Sequence, residues 1–222
     1  VAMASIGVRK VGPLKVMYVS KGPAMDYTDV ALFTEVMTVL EQRAKQQNAI
    51  WLKIDPDIIL ATGLPDSDDD TLNMTGNAIT NRLEQRGWMD SESQVQFRNT
   101  ISIDLTQSEE DILMAMSGNT RRKVRTADKK DVTIRAATLD DLPILYDLYQ
   151  ITGERDDFLI RPFTYYQQAW QEFMAADLAH ALIAEYEGKP IAHVILFHFG
   201  QKCWYFYGAS SNEERNRMPN YA

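Results

Sequence analysis

From Ala181 onward the hydrophobic period of the chain is two, and glycine-led turns punctuate it. Ala181 to Glu187, Ile191 to Phe199 and Lys202 to Ala209 each read as a strand. Gly188-Lys189 and Gly200-Gln201 separate them. Strands joined by connections this short pair antiparallel, because a parallel neighbour needs a crossover of a dozen or more residues. The segment is therefore expected to form a three-strand meander, and everything upstream must pack on it.

The stretch before the meander reads as helix. Leu142, Leu145, Tyr146 and Tyr149 fall at i, i+3, i+4 and i+7. Arg161-Pro162 interrupts, and Thr164-x-x-Gln167 is a capping box for a second helix with Tyr166, Ala169, Trp170 and Phe173 on one face. Val132 to Arg135 reads as a strand ahead of both. The order strand, helix, helix, meander matches the first half of the GNAT acyltransferase fold.

The first hundred residues follow a related order. Lys15 to Ser20 is a strand stopped by Gly22-Pro23. A helix capped by Thr28 carries Phe33, Val36, Met37, Leu40 and Ala44. Ala49 to Ile54 reads as a buried strand ending at Asp55-Pro56. Asp66 to Asp70 is an acidic loop, Leu72, Ile79 and Leu83 mark a weaker helix, and Gly87 suits its left-handed terminus. Val95, Phe97, Ile101, Ile103 and Leu105 share a parity, which predicts a further strand. Ser108-x-x-Asp111 is a capping signal where a domain boundary is expected. The expected fold class is α+β with tandem GNAT-like domains, residues 1–107 forming the C-terminal part of the first and 108–222 most of the second.

Composition narrows the function. The 222 residues are 45% hydrophobic and 24% charged, which excludes a disordered chain. A net charge of −8 argues against a general nucleic-acid coat. The lone Cys203 excludes a disulfide framework and reads as a small buried residue. No apolar run approaches the ~20 residues of a spanning helix, so a cytoplasmic protein is expected. Val1 in first position and a helix-like start at Met218-Pro219-Asn220-Tyr221-Ala222 suggest a fragment cut at both ends.

Several residues carry candidate chemistry. In the last strand Cys203, Tyr205 and Tyr207 share one face by alternation, and Trp204 and Phe206 the other. The tyrosine face suits a pocket, or two core tyrosines with satisfied hydroxyls; the apolar face suits the core. Gly208-Ala209-Ser210-Ser211 lets backbone approach a ligand. Arg161 stands at a helix N-terminus, and Tyr165 lies about 100° off the apolar stripe of that helix. Together they make a phosphate site, or else Arg161 pairs with Asp156 or Asp157. Arg121 to Lys130 holds six positive residues and one acid. It is either a surface for nucleic-acid phosphates or anionic lipid, or a solvated helix face. Lys21 can present an amine to an anion at a strand end, or simply be a solvated turn lysine. His180, His193 and His198 lack metal-ligand spacing, and no metal is expected. His193 alternates with Ile191, Ile195 and Phe197 as a satisfied core or pocket residue would.

A CoA-dependent GNAT enzyme needs a glycine-rich turn after its central strand, to hold the pyrophosphate with backbone amides. Asn212 to Asn220 contains no glycine. The element order is that of the fold, and the CoA loop is missing.

These residues resemble the Fem family (the FemABX group) of peptidoglycan-bridge aminoacyltransferases. The resemblance is carried in order by Tyr18-Val19-Ser20-Lys21-Gly22-Pro23, Leu52-Lys53-Ile54-Asp55-Pro56 and Thr120-Arg121-Arg122-Lys123-Val124-Arg125. It continues through Arg161-Pro162-Phe163-Thr164-Tyr165-Tyr166, Trp204-Tyr205-Phe206-Tyr207-Gly208-Ala209-Ser210 and Pro219-Asn220-Tyr221. It implies transfer of an amino acid from aminoacyl-tRNA to the stem peptide of a UDP-linked or lipid-linked peptidoglycan precursor. It implies that Arg161 binds the precursor diphosphate, Tyr165 helps hold it, and Tyr207 lines the same site, with Tyr205 a weaker candidate. No cofactor is expected, since tRNA is the acyl carrier. Arg121, Arg122, Lys123 and Arg125 are the candidate tRNA contacts, with peripheral contact to the inner membrane leaflet as a further use. Leu159 departs from members that carry a hydroxyl residue there. The alternatives are a GNAT-type N-acyltransferase using acyl-CoA and a non-catalytic module binding anionic surfaces.

Overall fold

Asp29, not Thr28, starts the first long helix of the protein. The computed structural model describes residues 1–222, which divide into two compact units, Val1–Ser102 and Ile103–Ala222. In the first, strands β1 (Ile6–Val11) and β2 (Leu14–Val19) form an antiparallel hairpin. Helix α1 (Val30–Gln46) then leads to β3 (Ala49–Ile54), which runs parallel to β2. Asp29 accepts the Leu32 amide at 3.0 Å, and the Thr28 hydroxyl turns back to Asp26 at 2.6 Å. Phe33, Met37, Leu40 and Ala44 are buried on one stripe of α1. The first three pack with Val19 and Ile79.

A short ribbon, β4 (Ala61–Thr62) with β5 (Thr71–Leu72), flanks the acidic loop and precedes α2 (Met74–Gln85). Asn73 caps α2 by accepting the Gly76 amide at 2.9 Å. Gly87, with φ of +86°, follows in the left-handed conformation. Glu41 on α1 accepts from Arg86 at 3.0 Å and from the Trp88 indole at 3.0 Å, which ties the end of α2 to α1.

Beyond the Thr28 cap, this unit departs from the sequence reading at three places. The hairpin strand β1 precedes the first strand read from sequence, where only scattered apolar residues mark it. β3 is not buried throughout, since Ile50 and Trp51 are 54% and 47% exposed. Only one face of the sheet is covered, and apolar residues on the open face mimic a core strand. The alternating run from Val95 to Leu105 forms no strand. Alternation makes a strand only where a ladder partner exists, and this run joins no sheet, while side chains around it bond one another. Lys53 donates to the Ser91 hydroxyl at 2.9 Å and to the Ser93 carbonyl. Arg98 donates to the Ser91 carbonyl, and Asp104 accepts from Thr106 at 2.7 Å.

The second unit opens with α3 (Glu109–Ala115), capped by Ser108, and α4 (Gly118–Lys129), capped by Ser117. Strand β6 (Thr133–Ala136) follows, then α5 (Leu142–Asp156) and α6 (Phe163–Ala175). The meander β7 (Ala179–Tyr186), β8 (Lys189–Phe199) and β9 (Lys202–Ser210) ends the order. The sheet runs β6-β7-β8-β9, antiparallel throughout. Its core joins Leu142 and Leu145 of α5, Tyr166 and Trp170 of α6, and Ala179, Ala181, Ile183 and Ile195 of the sheet. Arg135 of β6 binds Asp141 through two 2.8 Å bonds and Glu185 at 2.7 Å, which fixes the entry to α5 against the sheet.

The capping box expected at Thr164 does not form. Pro162 stands at the cap position of α6 with φ of −57° and no side chain closes the terminus, so cap and helix start both lie two residues earlier than a Thr164 cap would put them, the helix beginning at Phe163. Proline presets the helical φ and needs no amide partner. The first amides of α6 are left beside Arg161 without a side-chain cap.

Candidate functional site

One extra residue decides how the last strand presents its tyrosines. Along β8 and β9 the register places Ile195 opposite Tyr207 and Leu196 opposite Tyr205, which leaves Phe206 unpaired as a β-bulge. Residues directly opposite share a face. Tyr207 therefore faces inward with Ile195, and Tyr205 faces the other side with Leu196. The shared face expected for Cys203, Tyr205 and Tyr207 is broken at this point; Trp204, opposite Phe197, falls on the Tyr207 side instead, and neither Trp204 nor Phe206 joins the core as expected. Trp204 and Phe206 are 44% and 60% exposed. The hydroxyl of Tyr205 occupies the space over Gly208, lying 1.7 Å from where a Cβ would stand. The open backbone at Gly208 thus serves the chain's own tyrosine. Cys203, near the hairpin tip, is exposed rather than buried.

Inward, Tyr207 meets an aromatic cluster. Its ring centre lies 5.6 Å from Tyr149, 5.8 Å from Tyr166 and 5.6 Å from Trp170, in edge-on geometry with each. Burial pushes the Tyr207 phenol up to about 12, and the nearby phenols of Tyr165, Tyr166 and Tyr149 push in the same direction. Arg161 opposes them. Tyr149 is likewise pushed up to about 12, chiefly by burial. Both hydroxyls stay protonated at neutral pH and are available as donors.

Arg161 is held at the rim of this cluster by its backbone. Its N–H donates to the Tyr166 hydroxyl at 3.2 Å, and its carbonyl accepts from Tyr146 at 3.1 Å. The guanidinium lies over the Tyr165 ring, 4.5 Å from its centre. Asp156 is paired with Arg155 at 3.0 Å. The structure thus brings together Arg161, Tyr165 and Tyr207, with the uncapped start of α6 alongside. An exposed planar cation, two phenols and uncapped helix amides are donor types whose chemistry suits a phosphate or diphosphate. Tyr146 and Tyr166, which hold the Arg161 backbone, sit within the apolar stripes of their helices, so in the sequence they read as core alone.

The remaining candidates lie elsewhere. Lys21 belongs to the first unit, at the C-terminal end of β2, where its amino group stands 3.8 Å from Asp57. His193 is buried, with both ring nitrogens lacking a hydrogen-bond partner, so it is not the satisfied residue that was expected. Burial lowers it to about 4; the Leu145 backbone opposes this, at a geometry short of a hydrogen bond.

The basic segment is helix α4. Gly118, Arg121, Arg122, Arg125, Thr126 and Lys129 form one stripe lining a shallow surface basin of about 400 Å³. Two of the four candidate contacts are engaged within the chain. Arg121 donates to the carbonyls of Met114 and Met116. Lys123 donates to the Tyr221 hydroxyl at 3.0 Å and covers that ring at 4.7 Å. Arg122 bonds only locally, to Asn119 at 2.9 Å; it faces outward together with Arg125.

Comparison with known proteins agrees with this architecture. The chain is 28% identical to a lipid II:glycine glycyltransferase of Staphylococcus haemolyticus, across 81% of the chain and 41% of the relative. It is 23% identical to the protein of that name from Staphylococcus saprophyticus, across 94% of the chain and 64% of the relative. The chain therefore spans between about two fifths and two thirds of these relatives' length. The crystal structure of FemX superposes with a TM-score of 0.79 at 20% identity, over 99% of this chain and 70% of that one, which shows a shared fold. The sequence profile of the FemAB family matches residues 1–188. With most of its length inside that match, the chain belongs to the FemAB family.

Proposed function

We propose that the protein transfers an amino acid from aminoacyl-tRNA to an amine on the stem peptide of a peptidoglycan precursor. The observation that carries this reading is the convergence of Arg161, Tyr165 and Tyr207 at the uncapped start of α6. The cluster offers the donors a diphosphate needs, and membership of the FemAB family is consistent with an acceptor of that class. The name of the staphylococcal relatives supports a lipid-linked precursor. In this reading the two halves of the chain, 1–107 and 108–222, are parts of tandem GNAT-like domains, and the protein works in the cytoplasm against the inner membrane leaflet.

The reaction is aminolysis of an ester. The acceptor nitrogen attacks the aminoacyl carbonyl, a C–N bond forms, and the C–O bond to the tRNA ribose breaks. The amine proton leaves with the net transfer to the ribose oxygen. No covalent enzyme intermediate is required. Arg161, Tyr165 and Tyr207 anchor the precursor, which converts the encounter into an oriented one. Tyr205, on the opposite sheet face, takes no part in that anchor. Arg122 and Arg125, extended by Lys129 on the same stripe, contact tRNA phosphates. Lys21, in the first unit, is taken by itself as a candidate contact for an anion.

The test is transfer of labelled amino acid from charged tRNA to a lipid-linked precursor by the full-length protein. RNase treatment abolishes transfer if the reading is right. Product formed from acyl-CoA, with no dependence on tRNA, overturns it.

A further inference from the structure

We propose that Asp177, His180 and His198 bind one divalent transition-metal ion of the zinc class. In sequence the two histidines are far apart, and the spacing shows no metal motif. The sheet brings them together. Ala179 pairs with Phe197 and His180 with Leu196, and the His198 amide donates to the Leu178 carbonyl at 3.0 Å. His180 and His198 are thus diagonal neighbours on one face of an antiparallel ladder. Asp177, in the turn after α6, has a left-handed backbone with φ of +54°. One ligand atom from each of the three lies within 4.8 Å of the others.

A second observation points to a ligand. The His198 Nε2 atom is buried and has no hydrogen-bond partner. Its ring stacks on His180 with centres 4.8 Å apart and planes 2° from parallel. The 3.7 Å approach of His180 Nε2 to Asp177 is exposed and too long for a hydrogen bond, and it leaves His198 unexplained. A metal ion satisfies all three groups. Two imidazoles and a carboxylate form a set that suits zinc, nickel or copper, and they leave at least one position for water. In-plane lone pairs on parallel rings do not converge, so binding requires the His180 ring to turn. His180 and Asp177 are exposed and able to do so; bond lengths of about 2.0–2.2 Å then draw the donors inward. This face is opposite the one that carries Tyr207, so the ion would stand apart from the Arg161 cluster.

Zinc chloride titrated into the 222-residue chain tests the proposal, by calorimetry and by the ring-proton resonances of its three histidines. One ion should bind per chain, with the His180 and His198 signals shifting and the His193 signals unmoved. His180→Ala and His198→Ala should each weaken binding at least about tenfold, and Asp177→Asn more modestly. Because His180 is on the surface, its variant reports binding without loss of fold. No saturable binding overturns the proposal. So does unchanged affinity in both histidine variants, or binding that disappears in Cys203→Ser while surviving in them.

Discussion

The Arg161 guanidinium lies face-on over Tyr165, 4.5 Å from the ring centre, while two other tyrosines hold the Arg161 backbone. The side chain is thus aimed without being paired to an acid. Arg161→Ala should lower the affinity of the full-length protein for its precursor at least about tenfold, as loss of a charge-assisted hydrogen bond does. Stability should change by less than about 1 kcal/mol, because an exposed cation–π contact is worth little more. Arg161→Lys should recover only part of the binding, since an ammonium lacks the planar fork. Calorimetric titration with precursor decides the matter, and unchanged affinity in the alanine variant removes Arg161 from the site.

Tyr207→Phe separates the hydroxyl from the ring. The ring packs edge-on against Tyr149, Tyr166 and Trp170, and the variant keeps those contacts. Its thermal midpoint should stay near that of the parent, while transfer activity of the full-length protein falls. Full activity in a folded variant would show that the hydroxyl has no part in binding. Trp170→Ala should be the structural counterpart. Trp170 is fully buried at the centre of the second unit, and its truncation should cost about 3–5 kcal/mol in urea denaturation.

His193 predicts a pH dependence of stability. Its folded value of about 4 lies below the ~6.5 of an unfolded histidine, because burial disfavours the imidazolium. The unfolded chain therefore binds the proton more readily. Stability from this group is complete above about pH 6.5, falls as pH drops toward 4, and levels below that; the span amounts to about 3 kcal/mol. His193→Leu should flatten that limb of the stability curve. A limb of unchanged slope would mean that other groups produce it.

Gly76→Ala should destabilise the first unit, although alanine in a helix ordinarily gains about 0.5–1 kcal/mol over glycine. A Cβ at this position would stand 2.2 Å from the Ile59 carbonyl oxygen, which is backbone and cannot swing aside. A raised melting temperature would contradict the close approach of that loop to α2.

The second unit was largely legible in the sequence because its signals were local. Gly188 and Gly200 marked the hairpins, and the apolar stripe of Leu142, Leu145 and Tyr149 marked α5. The site was half legible. Arg161 and Tyr165 stood out because each left the apolar pattern, and Tyr207 because it carried a hydroxyl into a strand. What alternation cannot show is an added residue, and Phe206 reverses the parity between Tyr205 and Tyr207. Nor can it show whether a strand finds a partner, which is why Val95 to Leu105 misled. Long-range pairs were equally invisible. Lys123 with Tyr221 and His180 with His198 meet only once the chain is folded.

The unpaired Phe206 makes β9 two half-strands in antiphase. Two tyrosines an even number of residues apart can face opposite ways only because one residue between them has no partner. Deleting Phe206 would leave Tyr207 opposite Ile195 and Tyr205 opposite Leu196 in a regular ladder, so each tyrosine would keep its face. The faces of the two tyrosines are therefore set by their partners on β8, and the bulge is a tolerated insertion that the site does not depend on.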